Sequence, residues 1–178
     1  RRRQRQMCIR DREQAMQTWG VSDSLKLYNI ENWGGQYFSI NPSGNITVHP
    51  RQGKGPGIEL MSVLEDIQSR GLRLPVLLRF QDIIRHRVVA LNEAFRSKIQ
   101  KWEYKGQYQG VYPIKVNQMR EVVEEIVDAG APYDFGLEAG SKAELSAVLS
   151  MEMSPNALVV CNGYKDYDYI KMALMGNK

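Results

Sequence analysis

Nine residues, GVYPIKVNQ at positions 110–118, set one charged side chain, Lys115, in a run of apolar and β-favouring residues. Apolar surroundings disfavour an ammonium relative to the neutral amine. The neutral amine is a nucleophile that condenses with an aldehyde to a Schiff base. The bland alternative is a lysine that snorkels to solvent from a strand end. Other residues offer less chemistry. Cys8 and Cys161 lack the paired spacing of a zinc site. His49 and His86 read as solvated or locally hydrogen-bonded side chains. The glycines of RQGKGPG, residues 51–57, do not have the spacing of a phosphate-binding loop opening a helix, so that stretch reads as a linker.

The elements around Lys115 follow from periodicity. Val111 to Val116 reads as a strand, with Val111, Pro113 and Lys115 on one face. Met119, Val122, Val123, Ile126 and Val127 mark a helix ended by Gly130, and Tyr133 to Leu137 a second strand. A helix follows, opened by a capping box at Ser141 and Glu144 in which each side chain satisfies the other residue's backbone N–H. Ala157 to Cys161 is a third strand, Asn162-Gly163 a turn, and Tyr169, Ile170, Ala173 and Leu174 a last helical stripe. Alternating strands and helices imply a parallel sheet with right-handed crossovers. No GxGxxG follows a strand, which leaves a barrel better supported than a dinucleotide fold. In such a barrel the chemistry gathers at the carboxyl ends of the strands, where Lys115 sits. A complete eightfold barrel needs about 250 residues, so three units read as the front of a longer protein.

Upstream, Tyr37–Ile40 and Asn45–Val48 flank the turn sequence NPSG and predict a β-hairpin. Leu60, Met61, Leu64 and Ile67 predict a helix stopped at Gly71. LPVLLRF, residues 74–80, is β-like. Asp82 is a candidate cap for a long helix with the stripe Ile84, Val88, Leu91 and Phe95.

The chain has 178 residues, 43% apolar and 25% charged, which describes a folded protein. No run reaches the roughly 18 apolar residues of a membrane helix, and no signal peptide opens it. The expected location is the cytoplasm, with no membrane partner. The net charge of +4 suggests nucleic acid, but RRRQRQMCIRDR, residues 1–12, holds six arginines and one aspartate; the remainder carries 18 basic and 19 acidic residues, a balance of −1. Residues 1–12 are read as a non-native sequencing scar, with a nucleic-acid-binding arm as the rival.

The aldehyde cofactor that regularly anchors on such a lysine is pyridoxal phosphate. The segments LPVLLRF, GVYPIKVNQ, GLEAGSKAEL and VVCNGYKD, in this order, resemble the biosynthetic arginine decarboxylases, pyridoxal-phosphate enzymes of the alanine-racemase-like barrel class. WGGQYFSIN, with Gly44 to Pro50, is similar to that family's amino-terminal strand pair. The resemblance runs from about Tyr28 to the last residue. It implies an α/β fold: a partial TIM-type (β/α) barrel over residues 109–178, preceded by a β/α region with the hairpin over 22–108. By the resemblance, Lys115 is catalytic and holds the cofactor, and Glu138 matches an acid that orients the linkage or relays its proton. The alternative for Glu138 is a capping or salt-bridging carboxylate. Asn117 and Asn162 read as pocket-mouth residues or, more simply, as turn residues bonding their own backbone. Lys142 and Lys165 read as surface charges.

The implied reaction converts L-arginine to agmatine and carbon dioxide, a step of putrescine and spermidine biosynthesis, in a homo-oligomer. A magnesium requirement is associated with the family, but no residue here is assigned to the metal. The phosphate loop and guanidinium site lie later in that family, so 178 residues alone are expected to be inactive. The rivals are a decarboxylase of the same barrel class acting on ornithine or diaminopimelate, and a non-catalytic, partner-binding relative.

Overall fold

In the computed structural model, residues 19–176 are described; residues 1–12, with the expected scar and Cys8, lie outside this range. The chain divides between Val76 and Leu77 into two compact units.

The first unit opens with two short helices, α1 (Val21–Leu27) and α2 (Ile30–Trp33). Strands β1 (Phe38–Ile40) and β2 (Ile46–Val48) pair antiparallel in the register Phe38↔Val48 and Ile40↔Ile46. The turn chemistry explains the register. Asn41 Oδ1 accepts from Asn45 N at 2.9 Å, and Asn41 O accepts from Gly44 N at 2.9 Å, so NPSG closes on itself. A third strand, β3 (Ile58–Glu59), pairs with β2. At two residues it is too short to show a period in the sequence. His49 is locally bonded, its Nε2 lying 2.8 Å from Ser39 Oγ. Helix α3 (Leu60–Ser69) follows, and Gly71, at φ +79°, takes the left-handed conformation that ends it. LPVLLRF forms no strand, and Leu74 and Leu77 are exposed. Its β-favouring residues find no partner strand among the described residues, and propensity without pairing does not make a sheet.

The second unit begins with α4 (Gln81–Lys101). Its cap is Phe80; Asp82 lies inside the first turn, where its charge meets the helix dipole rather than closing the end. Val88 and Ile84 pack with Val122, Ile126, Ala129 and Phe135. The boundary between units therefore falls before α4, whereas the sequence reading placed it after, at 108/109. Leu91 and Phe95 stay largely exposed, with Phe95 stacked on Tyr108 at 3.9 Å.

Three parallel strands follow in the order β4-β5-β6: Val111–Pro113, Gly136–Ala139 and Val159–Cys161. Helix α5 (Arg120–Gly130) connects the first pair and α6 (Lys142–Leu149) the second; α7 (Tyr167–Gly176) follows β6. Leu137 and Ala139 of β5 are fully buried with Val123, Val127, Leu145, Val148 and Tyr169 from the three helices. Burying one such leucine stabilises by about 1.5–3 kcal/mol. The helices thus cover the Leu137–Ala139 face, and alternation sends Glu138 to the other. Strand β5 starts three residues later than expected. Ala131–Tyr133 is a turn of 3₁₀-helix instead, and Asp134 at φ 51° redirects the chain into the strand.

Candidate active site

Lys115 is not on a strand. Strand β4 stops at Pro113, and Ile114–Val116 form one turn of 3₁₀-helix at the strand's carboxyl end. Pro113 is the last paired residue of β4, where its missing N–H costs the sheet little. Ile114 is buried and anchors the turn, so the next two residues must point outward. The apolar wall expected around the amine is absent: the Lys115 side chain is 64% exposed. Its neighbour is a charge. Glu138 Oε1 lies 4.0 Å from Lys115 Nζ, on a side chain only 19% exposed. The pair follows from register, because Glu138 of the central strand stands opposite Pro113, two residues before Lys115.

Asn162 comes to the same carboxylate from the third strand. It directly follows β6, and its Nδ2 donates to Glu138 Oε1 at 3.3 Å. Its Oδ1 accepts from Gly163 N at 2.9 Å, the turn role expected of it. The Asn117 side chain has a turn role, with Oδ1 accepting from Met119 N at 3.0 Å just ahead of α5. Lys142 pairs with Asp166 at 2.5 Å, and Lys165 Nζ donates to Gly163 O at 2.9 Å.

The Lys115 turn is tied from several sides that sequence reasoning missed. Tyr112 Oη donates to Asn117 O at 3.2 Å, spanning the turn. Burial raises the Tyr112 phenol above its ordinary value, which favours the protonated, donating form. Gln118 Nε2 donates to Glu144 Oε1 at 3.3 Å. The capping box is altered to match: Ser141 Oγ accepts from Glu144 N at 3.2 Å, but Glu144 Oε2 reaches Gly140 N at 2.6 Å, not the N–H of Ser141. Glu144 thereby joins the β5–α6 loop to the segment after Lys115. Below the site, Tyr169 Oη donates to Ala139 O at 2.9 Å. Burial first, then its bond with the Cys161 thiol, pushes this phenol up to about 12.

A solvent-reachable primary amine thus stands beside a carboxylate at the carboxyl ends of parallel strands, where the sites of barrel enzymes gather. Residues 89–178 match the family model described as pyridoxal-dependent decarboxylase, pyridoxal binding domain. The chain belongs to this family. It is 50% identical over 164 residues to the biosynthetic arginine decarboxylase of Gloeobacter violaceus, covering 92% of this chain and 25% of that protein. To the protein of the same name from Pelobacter propionicus it is 47% identical over 163 residues, covering 92% and 26%. The chain thus spans about a quarter of the length of these relatives. The crystal structure of the biosynthetic arginine decarboxylase from Campylobacter jejuni superposes with a TM-score of 0.75 at 32% identity, over 84% of this chain and 24% of that one. The α/β fold is therefore that of an arginine decarboxylase structure over most of the chain.

The donor set fits the pyridoxal cofactor of the family, since Lys115 presents a solvent-reachable primary amine with an acid beside it. Among the described residues no three His, Cys, Asp or Glu side chains are grouped to hold a metal ion, and no described helix is long and apolar enough to cross a membrane.

Proposed function

We propose that this chain is the cofactor-anchoring part of an arginine decarboxylase, in which L-arginine is converted to agmatine and carbon dioxide for putrescine and spermidine biosynthesis. The observation that carries it is the Lys115–Glu138 pair, 4.0 Å apart at the strand ends of a pyridoxal-binding domain. Arginine as substrate is supported by the names of the relatives, up to 50% identical. In this reading β4, β5 and β6 with their helices are three units of an eightfold barrel, and the first unit with its hairpin stands ahead of it.

Bound pyridoxal phosphate supplies the aldehyde that takes up amines and the ring that accepts the electron pair left by the departing carboxylate. The chain's own residues do the rest. Lys115 Nζ would hold the cofactor through its aldehyde. Glu138, 4.0 Å from Nζ, would orient the cofactor linkage or relay its proton. The 3₁₀ turn, fixed by buried Ile114 and the Tyr112 bond, keeps Nζ in place between turnovers. The magnesium associated with the family finds no ligand group among the described residues, and no step runs through it. The whole protein is proposed to be a cytoplasmic homo-oligomer that binds neither nucleic acid nor membrane.

The test is product analysis by the full-length protein given pyridoxal phosphate and, separately, L-arginine, L-ornithine and diaminopimelate. Agmatine from arginine, with little product from the others, is expected. Preferential turnover of ornithine or diaminopimelate would reassign the substrate, and no amine from any of them would favour the partner-binding relative.

A further inference from the structure

We propose that Asn162 is a positioning residue: its side-chain amide holds Glu138 Oε1 toward Lys115 Nζ. This rests on Lys115 being the cofactor amine. The two contacts converge on one oxygen atom. Glu138 Oε1 accepts from Asn162 Nδ2 at 3.3 Å and lies 4.0 Å from Lys115 Nζ. A carboxylate at a strand end turns about its last torsion unless a donor fixes it, and a donor to an ionised oxygen makes one of the stronger hydrogen bonds.

The amide is itself fixed. Its Oδ1 accepts from Gly163 N at 2.9 Å, so Nδ2 has to face the carboxylate; the reversed amide would oppose N–H to N–H and oxygen to oxygen. The backbone is held as well, with Asn162 N donating to Ala139 O at 2.8 Å, one residue beyond Glu138. Strand β6 therefore presents a donor of fixed direction to the acid of β5, which in turn faces the amine that follows β4. Tyr169 feels the charges of both Glu138 and Glu144, and Glu144 is itself bound to Gly140 N and Gln118.

The experiment uses the full-length protein and reads cofactor capture rather than turnover. Pyridoxal phosphate is added across a concentration series at fixed pH, the adduct is reduced with borohydride, and the phosphopyridoxyl label on Lys115 is quantified by peptide mass. The series covers the parent, Asn162→Ala, Asn162→Ser, Glu138→Gln and the Asn162→Ala/Glu138→Gln double variant. Serine keeps a hydroxyl able to accept from Gly163 N but is too short to reach Glu138, which separates the turn from the donor. Without a positioned carboxylate the amine loses the partner that holds it at the strand ends. Each single variant is expected to raise the concentration at the capture midpoint by about 1.5- to 5-fold, the range for an exposed pair. The double variant is expected to match Glu138→Gln, because both changes remove one interaction.

The inference is overturned if the Asn162 variants leave the midpoint where it was, if Ala moves it and Ser does not, if Asn162→Ala adds its full shift to Glu138→Gln, or if Glu138→Gln moves nothing. Absence of any label on Lys115 in the parent is a different failure, that of the cofactor role itself.

Discussion

The carbonyl oxygen of Gly140 stands where Gly163 would carry a side chain: a Cβ placed on Gly163 lies 2.2 Å from it. Gly163 also has φ +74°, a conformation that other residues adopt with strain. The close approach of these two glycines packs the loop after β6 against the loop after β5, and it is from there that Asn162 reaches Glu138.

Gly163→Ala is accordingly expected to destabilise the protein by about 1–3 kcal/mol. It should also separate Asn162 from Glu138 without touching either. Urea unfolding of the full-length variant reads the first effect; a midpoint equal to the parent's would show that the contact is not as tight as described.

Tyr112→Phe removes the phenol that spans the Lys115 turn. Its hydrogen bond to Asn117 O is worth about 0.5–1.5 kcal/mol. Because the bond closes over the turn itself, capture of pyridoxal phosphate on Lys115 should slow several-fold while Glu138 and Asn162 remain in place. Unchanged capture with lowered stability would make Tyr112 a fold residue only.

Much of this was legible beforehand, for identifiable reasons. NPSG carries its own turn chemistry, so the hairpin was legible from four residues, while its register came only with the strand pairing. The apolar positions of α5 are buried on two sides, Val123 and Val127 toward the sheet, Val122 and Ile126 toward α4, and that density marked the helix plainly. The Lys115 turn was misread because three residues of a 3₁₀ turn and three of a strand have nearly the same apolar pattern. What ends β4 is the proline, which leaves the chain free to curl once Ile114 is buried. LPVLLRF shows the converse: composition favoured a strand that pairing did not provide. Glu138 was recognisable by resemblance alone, since its nearness to Lys115 is a property of strand register, and the Asn162 contact depends on a third strand.

Tyr169 gives the unit a testable pH dependence. Its phenol rises from an ordinary 10.0 to about 12 on folding, so the folded chain keeps a proton the unfolded chain releases. The stability involved is complete below pH 10 and is lost as the pH climbs toward 12. In Tyr169→Phe the alkaline decline should be shallower than in the parent, by at most about 1.4 kcal/mol per pH unit. At neutral pH the variant should be less stable by about 0.5–1.5 kcal/mol, through the lost bond to Ala139 O. Urea titrations between pH 8 and 11.5 compare the two slopes.

The 178 residues by themselves are expected to release no agmatine from L-arginine, because they span about a quarter of the length of the decarboxylases they resemble. Chromatography of the reaction mixture checks this directly. Agmatine from the purified 178-residue chain would mean that three βα units suffice for the chemistry, contrary to the barrel proposed here.

The central claim is that Lys115 is the cofactor amine, and covalent trapping tests it most directly. The full-length protein is incubated with pyridoxal phosphate, reduced with borohydride, digested and mapped by mass. A phosphopyridoxyl group on the peptide containing Lys115, lost in Lys115→Arg, is the expected result. A labelled lysine elsewhere with Lys115 unmodified, or no label at all, would contradict it.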